Sequence, residues 1–218
     1  MTLSIAEENY IKAIHALSLK GTVNTNTLAK AVQTKASSAT DMLRRLSEKN
    51  LVNYVKYHGV TLTESGNKVA LKTLRKHRLW EVFLVEKLGF GWDEVHDVAE
   101  QLEHVSSPKL TESLASFLGN PEFDPHGDPI PNKDGEMPNQ NVKTLSQCTT
   151  GDALVLQRVK DGNPEFFQYL KRQSIKLGER FFIKEMFEFD GSIEIERSNG
   201  RSLMLSKTVS NHLFVTEQ

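Results

Sequence analysis

The sequence contains very little cysteine and no long hydrophobic run. Cys148 is the only cysteine among the 218 residues, which excludes an intrachain disulfide and a zinc cluster built from thiolates. No stretch approaches the roughly 18 apolar residues that a membrane span requires. The opening MTLSIAEENY carries acids where a signal peptide has a basic and then an apolar segment. We therefore expect a cytoplasmic protein that does not bind a membrane.

The sequence also lacks the short motifs of common enzyme active sites. GxGxxG, the P-loop, GxSxG and HExxH are all absent. The inward Glu-x-x-His pairs of di-iron bundles are missing too, since Gln101 stands three residues before His104. We predict neither enzymatic activity nor a small-molecule substrate. A small metal-dependent hydrolase is the alternative, and it would need an open metal position and a general base in a pocket.

A net charge of −1 conceals an uneven distribution of charge. Residues 1–80 carry 13 Lys and Arg against 5 Asp and Glu, whereas residues 81–150 carry 4 against 13. The remaining residues, 151–218, carry 10 of each. The basic first segment suggests a polyanionic partner, and the acidic middle segment suggests bound cations.

The first 63 residues have the element order of a winged helix-turn-helix. Helical spacing follows Ser4, a plausible N-cap, and a short helix, TLAKAVQ, follows Thr25. A third helix, SSATDMLRRLSEKN, can be capped by Ser37 and ended by Asn50. LVNYVKYHGVTLT is rich in Val, Thr and Tyr around a glycine, which predicts a β-hairpin.

In such a domain the third helix can lie in the major groove of double-stranded DNA, and the hairpin can touch the backbone. Arg44 and Arg45 are placed for phosphate contacts, and Lys56 lies in the hairpin. The candidate base-reading residues sit at the exposed start of the third helix: Lys35, Ser37, Ser38, Thr40 and Asp41. The alternative is a small helical domain with a solvated basic face.

The middle of the chain is helical and ends in a proline-rich linker. A long helical pattern runs from Glu64 to about Leu88 and stops at Gly89. WDEVHDVAEQLEH and KLTESLASFL predict two further helices. The linker, residues 119–143, contains five of the seven prolines, and we expect it to be ordered but irregular.

From Thr150 onward the pattern changes to short strands. The segments DALVLQRV, ERFFIKEMFEF, SIEIERS, RSLMLS and TVSNHLFV predict strands, and PEFFQYLKRQ predicts one short helix. This composition is typical of a small SH3-like β-barrel. The predicted fold is therefore mainly α with a β C-terminal domain, divided into residues 1–63, 64–143 and 144–218.

The acidic helix raises the possibility of a metal site. Because each helical residue advances about 100°, four potential ligands share a face opposite the apolar positions Val98 and Leu102: His96, Glu100, Glu103 and His104. Such a face is either a metal site or simply solvated, and helical geometry alone does not decide. KHRLWE adds His77 and Glu81, again four apart on one face. A thiolate-free set of this kind suits Mn²⁺ or Fe²⁺, and Zn²⁺ less exclusively.

KHRLWE, VHDVAEQLEH and DPHGDPIP, following a winged helix, resemble the family of the diphtheria toxin repressor and the manganese transport regulator. The resemblance covers almost the whole chain, and members are metal-activated, homodimeric DNA-binding repressors. It implies a primary metal site made of Asn9, Glu100, Glu103 and His104. It also implies an ancillary site made of His77, Glu81 and His96, completed by the C-terminal part.

The resemblance implies further ligands outside the helices: Asp124, His126, Asp161 and Glu165. Glu100 stands where iron-sensing members have cysteine, which favours Mn(II) over Fe(II), and Zn(II) or another divalent ion can substitute. The chain departs from the family at Asn9, usually Asp or Met, and at Lys12, where the manganese regulator has a second acid. Glu8 is an alternative to Asn9. Where Asp124 stands, related sequences have cysteine.

The implied mechanism is a population shift. A divalent cation neutralises the acidic helices, joins the first helix to the dimerisation helices, and sets two recognition helices about 34 Å apart on a palindromic operator. Genes of metal-ion uptake are the expected targets. The alternative is a winged-helix regulator that binds DNA without metal, with these residues structural or bound to an organic effector.

Overall fold

A computed structural model of the protein describes residues 3–19, 21–55, 58–160 and 164–218. The N-terminal part forms α1 (Ile5–Ser18), α2 (Thr25–Ala31), α3 (Ala36–Glu48) and the strands β1 (Val52–Val55) and β2 (Gly59–Leu62). The two strands pair antiparallel, with Val52 opposite Leu62. The predicted winged helix-turn-helix is confirmed.

The helix ends follow local hydrogen bonding. Ser4 caps α1 as predicted: its hydroxyl accepts the Glu7 N–H at 3.3 Å, and the Glu7 carboxylate accepts the Ser4 N–H at 2.9 Å. The predicted Ser37 cap of α3 is wrong. The helix begins two residues earlier, because the Lys35 carbonyl already accepts the Ala39 N–H at 3.0 Å. Asn50 ends α3 as predicted, with a φ of 55°.

The N-terminal core is formed by apolar side chains from α1, α2, α3 and the hairpin. Its largest fully buried members are Ile11, Ile14, Leu28, Leu43 and Leu46. Burying side chains of this size stabilises the domain by about 1.5–3 kcal/mol each. α1 also packs along the long helix Glu64–Leu88 of the middle part, so it contacts two parts of the molecule at once.

The middle part consists of α4 (Glu64–Leu88), α5 (Val95–Leu102) and α6 (Pro108–Phe117). α4 ends at Gly89, whose φ of 77° lies in the left-handed region that favours glycine. Leu79 of α4 packs with α6, and Leu84 packs with α5, so α4 is the common support of both. Within the described residues, no helix is both long and apolar enough to cross a bilayer.

Among the described residues of the C-terminal part, the strands form one antiparallel sheet in the order β3-β8-β4-β5-β6-β7 around a buried apolar core. Its elements are β3 (Lys143–Thr144), β4 (Ala153–Val159), α7 (Pro164–Arg172), β5 (Arg180–Met186), β6 (Ile193–Arg197), β7 (Ser202–Leu205), α8 (Lys207–Ser210) and β8 (Leu213–Glu217). The predicted SH3-like domain is confirmed.

One predicted strand, TVSNHLFV, starts five residues too early. Its first residues form the turn of α8, because the Ser206 hydroxyl accepts the Val209 N–H at 3.3 Å and starts a helical turn. The strand begins only at Leu213.

The proline-rich linker folds against both neighbouring parts and contains no helix among its described residues. Ile130 is buried in the cluster between α4 and α6. The backbone carbonyl of His126 accepts the Val159 N–H at 2.8 Å, which fixes the linker to β4. The linker is thus ordered and irregular, as predicted, and it holds the C-terminal domain next to α4.

We expect Gly127→Ala to break this attachment. Gly127 has a φ of +86°, and a Cβ there would lie 2.1 Å from the Gln157 carbonyl oxygen. Gly151→Ala is the matched control, because Gly151 has a φ of +99° but nothing within 4 Å of the added atom. The left-handed backbone should lower the free energy of unfolding of both variants by about 1 kcal/mol. The clash should lower that of Gly127→Ala by about 2 kcal/mol more. Equal losses in urea unfolding would contradict this prediction.

Candidate metal centre and nucleic-acid interface

α4 and α5 bring together a buried set of histidine and glutamate side chains. His77 and Glu81 lie one turn apart on α4 and are both buried. His96 reaches them from the first turn of α5. His77 Nε2 lies 3.0 Å from Glu81 Oε1 and 3.1 Å from His96 Nδ1, and His96 Nδ1 lies 3.4 Å from the same Glu81 oxygen.

The linker supplies a second triad that shares Glu81. Ligand atoms of Glu81, Asp124 and His126 all lie within 4.8 Å of one another, and all three residues are buried. The backbone N–H groups of His126 and Asp128 donate to Asp124 Oδ1 at 2.8 and 2.9 Å and orient the carboxylate. Arg78 Nε lies 3.5 Å from the other oxygen of Asp124. We call His77, Glu81, His96, Asp124 and His126 the Glu81 cluster.

The Glu81 cluster fits a divalent cation. Burial raises the pKa of Asp124 well above its usual value, and repulsion from Asp128 and Glu81 raises it further, despite Arg78. Negative charge is therefore undercompensated at this point. The buried His126 Nε2 atom has no hydrogen-bond partner among the described residues. An orphaned imidazole nitrogen beside carboxylates matches the donor set that Mn²⁺ and Fe²⁺ accept.

Aromatic side chains hold His126 in place. Its ring centroid lies 5.5 Å from Trp92 and 4.8 Å from Phe167 of α7. Trp92 packs against the C-terminal core. The C-terminal domain thus supports one wall of the cluster. Glu165 is exposed in the first turn of α7 and belongs to neither triad, and Asp161 lies outside the described residues.

A second group joins α5 to α1. Glu103 is 0% exposed; its Oε2 lies 2.6 Å from His77 Nδ1, and its two oxygens lie 2.7 and 2.8 Å from Lys12 Nζ. Burial raises the pKa of Glu103, but His77 and Lys12 lower it more, so the carboxylate is ionised. Glu100 lies 3.9 Å from the same ammonium.

His104 contacts Glu8 rather than Asn9. The His104 Nδ1 atom lies 2.7 Å from Glu8 Oε2, and its Nε2 atom lies 3.6 Å from Glu103 Oε1. The Asn9 Oδ1 atom is buried without a hydrogen-bond partner among the described residues. Asn9 and Glu100 line an open groove along α1. We call Glu8, Lys12, Glu100, Glu103 and His104 the first-helix group.

The two groups differ in how closely their ligand atoms converge. Among the described His, Cys, Asp and Glu side chains, only the two triads around Glu81 place three ligand atoms within 4.8 Å. The implied primary set, Asn9, Glu100, Glu103 and His104, does not include three such side chains whose ligand atoms lie that close together. The contact between Lys12 and Glu103 was not predicted from the sequence. The available signal was the position of Lys12 one turn after Glu8, which places both on one face of α1.

Proton binding at His77 should make the metal-free protein sensitive to pH. Burial alone lowers the pKa of His77, but hydrogen bonds with Glu103 and Glu81 outweigh it and raise the pKa from 6.5 to about 9. The folded pKa is raised, so this stability is fully present below pH 6.5 and is lost as pH rises through about 9. We expect a loss of about 3 kcal/mol across that window.

This pH dependence can be measured by urea unfolding in the presence of a chelator. His77→Gln should flatten the profile between pH 6.5 and 9. His15→Gln is the control, because His15 lies outside both groups, next to Asn67. A wild-type profile that matches His77→Gln would refute the assignment.

The candidate DNA interface lies on α3. Arg45, Ser37, Ser38 and Lys35 are exposed, and Asp41 pairs with Arg44 at 3.5 Å on the exposed face. Thr40 is half-buried, and its hydroxyl donates to the Ala36 carbonyl at 2.9 Å. Lys56 lies outside the described residues.

α3 is connected to α1 at its far end. Lys49, which follows α3, donates to the buried Glu7 carboxylate at 2.5 Å. The contact with Lys49 lowers the pKa of Glu7. The contact with Lys12 likewise lowers the pKa of Glu103, so each of the two contacts is an ion pair. α1 therefore links the recognition helix to the first-helix group.

Three family models match successive parts of the chain. They are described as the N-terminal DNA binding domain of iron dependent repressors (residues 2–60), the metal binding and dimerisation domain of iron dependent repressors (residues 63–132) and the FeoA domain (residues 143–217). A winged helix joined to a dimerisation domain with buried metal-ligand side chains defines a class of metal-responsive regulators.

Relatives and solved structures agree with these matches. A manganese-dependent transcriptional repressor in complex with manganese shares 36% identity, with a TM-score of 0.87, over 97% of this chain and 100% of that one. The diphtheria toxin repressor of Corynebacterium diphtheriae is 24% identical over 96% of each chain. The repressor IdeR of Mycobacterium tuberculosis is 32% identical over 57% of this chain, which spans 54% of that protein's length. The chain belongs to the iron-dependent repressor family, as the resemblance implied.

Proposed function

We propose that the protein is a metal-dependent transcriptional repressor that binds promoter DNA as a homodimer when loaded with Mn(II) or Fe(II). The observation that carries this proposal is that two ligand triads share the buried Glu81. Glu81 lies on α4, the helix that directly follows the winged helix. Mn(II) is favoured, because the donors are carboxylates and imidazoles without a thiolate. Fe(II) is the alternative, and Zn(II) can substitute.

The Glu81 cluster is the proposed regulatory site. His77, Glu81 and His96 would hold the ion from the helices, and Asp124 and His126 from the linker. A bound divalent cation supplies the positive charge that the buried carboxylates lack. Asp161 and Glu165 remain predicted contributors from the C-terminal domain. Asn9, Glu100, Glu103 and His104 remain the predicted primary set.

Contacts between charged side chains connect this site to the recognition helix α3. His77 touches both Glu81 and Glu103, at 3.0 and 2.6 Å, so a rearrangement in the Glu81 cluster reaches α5 and α1. From α1 it reaches α3 through Lys49 and Glu7. Cation binding that moves His77 and Glu103 would thereby shift α1 and, with it, the recognition helix.

The proposed DNA contacts are those of the winged helix. The exposed start of α3 would read base edges in the major groove, using Ser37, Ser38, Asp41 and their neighbours, and the two arginines would contact phosphates. Two recognition helices, one from each subunit, would occupy a palindromic operator. We propose residues 1–63 as the DNA-binding domain, 64–143 as the metal-binding and dimerisation domain with its linker, and 144–218 as the FeoA-like domain.

This assignment describes a cytoplasmic regulator of metal-ion uptake genes rather than an enzyme. The relatives described above carry the names of repressors. The competing hypothesis is metal-independent DNA binding, with the Glu81 cluster serving only as a structural network.

A metal titration with DNA binding as the readout separates these hypotheses. Mn²⁺ should tighten binding to operator DNA at least about tenfold, a coupling of about 1.4 kcal/mol, and Fe²⁺ and Zn²⁺ are compared in parallel. Glu81→Gln should abolish the response, because it removes the charge that both triads share. Glu86→Gln, at an exposed position of the same helix, is the control. Equal affinity in chelator and in Mn²⁺ would rule out metal dependence.

Arg45→Ala tests the orientation of the DNA interface. Loss of one phosphate contact should weaken binding to all sequences similarly and reduce the slope of log affinity against log salt by about 1. Arg201→Ala, exposed in the C-terminal domain, should leave that slope unchanged. The placement of α3 is incorrect if Arg201→Ala changes the slope and Arg45→Ala does not.

A further inference from the structure

The ammonium of Lys12 lies at the centre of the first-helix group. Lys12 Nζ is 2.7 Å from one oxygen of Glu103, 2.8 Å from the other, and 3.9 Å from Glu100. The Lys12 side chain is 21% exposed, and that of Glu103 is 0% exposed. The ammonium therefore stands between α1 and α5, where the carboxylates of this group converge.

Glu103 has little capacity left for another cation. Both of its oxygens accept from Lys12, and Oε2 also lies 2.6 Å from His77 Nδ1. His104 Nε2, at 3.6 Å from Oε1, is too far to donate a hydrogen bond and has no hydrogen-bond partner among the described residues. A protonated lysine has three donors and no lone pair, so Lys12 cannot serve as a ligand. A metal ion could reach Glu103 only by displacing the Lys12 ammonium, and the two positive charges would then lie side by side.

We propose that Lys12 is a built-in cation that takes the place of a metal ion in the first-helix group. It joins α1 to α5 at all times and confines regulatory ion binding to the Glu81 cluster. This inference rests on the proposed function and deepens it, because it states which of the two groups responds to metal. It also departs from the resemblance, which implies a metal ion at Glu100, Glu103 and His104.

The same contacts predict what happens when Lys12 is lost. Without the ammonium, three carboxylates and one imidazole would face each other across α1 and α5: Glu8, Glu100, Glu103 and His104. Such a set favours a hard divalent cation such as Mn²⁺. Replacing Lys12 should therefore create an ion site rather than remove one.

Equilibrium dialysis against Mn²⁺ with elemental analysis tests this directly on the full-length chain. Lys12→Met should bind about one more ion per chain than the wild type, because the freed carboxylates become ligands. Lys12→Arg keeps the charge and should match the wild type. Lys68→Met, which removes an exposed lysine paired with Glu64, is the matched control. Equal stoichiometry of Lys12→Met and wild type would overturn the proposal.

A second variant covers the case in which Lys12→Met does not fold. In an otherwise wild-type chain, His104→Gln should leave the Mn²⁺ stoichiometry unchanged, since no ion binds the first-helix group. His96→Gln, in the Glu81 cluster, should lower the affinity for Mn²⁺ at least about tenfold. Loss of one bound ion in His104→Gln would refute the role of Lys12.

A metal-free readout separates this inference from the proposed function. In chelator, amides of α1 in the wild type should be protected from hydrogen exchange, and Lys12→Met should lose about tenfold of that protection. Mn²⁺ should restore it in Lys12→Met, and Lys68→Met should behave as wild type. Unprotected α1 in chelator-treated wild type would refute the inference even if Mn²⁺ still tightened DNA binding. If Mn²⁺ does not change the affinity for DNA, the proposed function is refuted instead.

Discussion

The structure depends on keeping one carboxylate charged where water cannot reach it. Glu103 is fully buried, so its ionised form requires cationic or donor partners, which α5 does not supply. The partners come from His77 on α4, at 2.6 Å, and from Lys12 on α1, at 2.7 Å. Because a short charged contact tolerates little displacement, the relative positions of three helices are set at this single side chain.

His77 makes the two groups chemically dependent on each other. One of its ring nitrogens faces Glu103 and the other faces Glu81 and His96. In the metal-free state both nitrogens can carry protons, whereas a metal ligand must offer an unprotonated nitrogen. Ion binding at the proposed Glu81 site would therefore release a proton and change the charge that Glu103 experiences, without any ion having to contact α1.

The sequence was most informative where structure is periodic. Four-residue spacing predicted that His77 and Glu81 share a face of α4, and the long helix ends at Gly89 as expected. The position of Asp124 beside Glu81 has no such signal, because a linker finds its neighbours only through tertiary packing; the family resemblance suggested it, not the spacing. Glu8 and Asn9 are consecutive on α1, and spacing cannot choose between them because it does not give the orientation of α1 relative to α5.

Glu7 and Glu8 are consecutive residues, yet they hold opposite neighbours. Glu7 binds Lys49 at the end of α3, and Glu8 binds His104 after α5. Because both carboxylates turn with the helix, a rotation of α1 about its own axis would break both contacts together. Two adjacent residues of α1 therefore hold the end of the recognition helix on one side and His104 on the other, so the orientation of α1 is shared by the DNA-binding domain and the middle part of the chain.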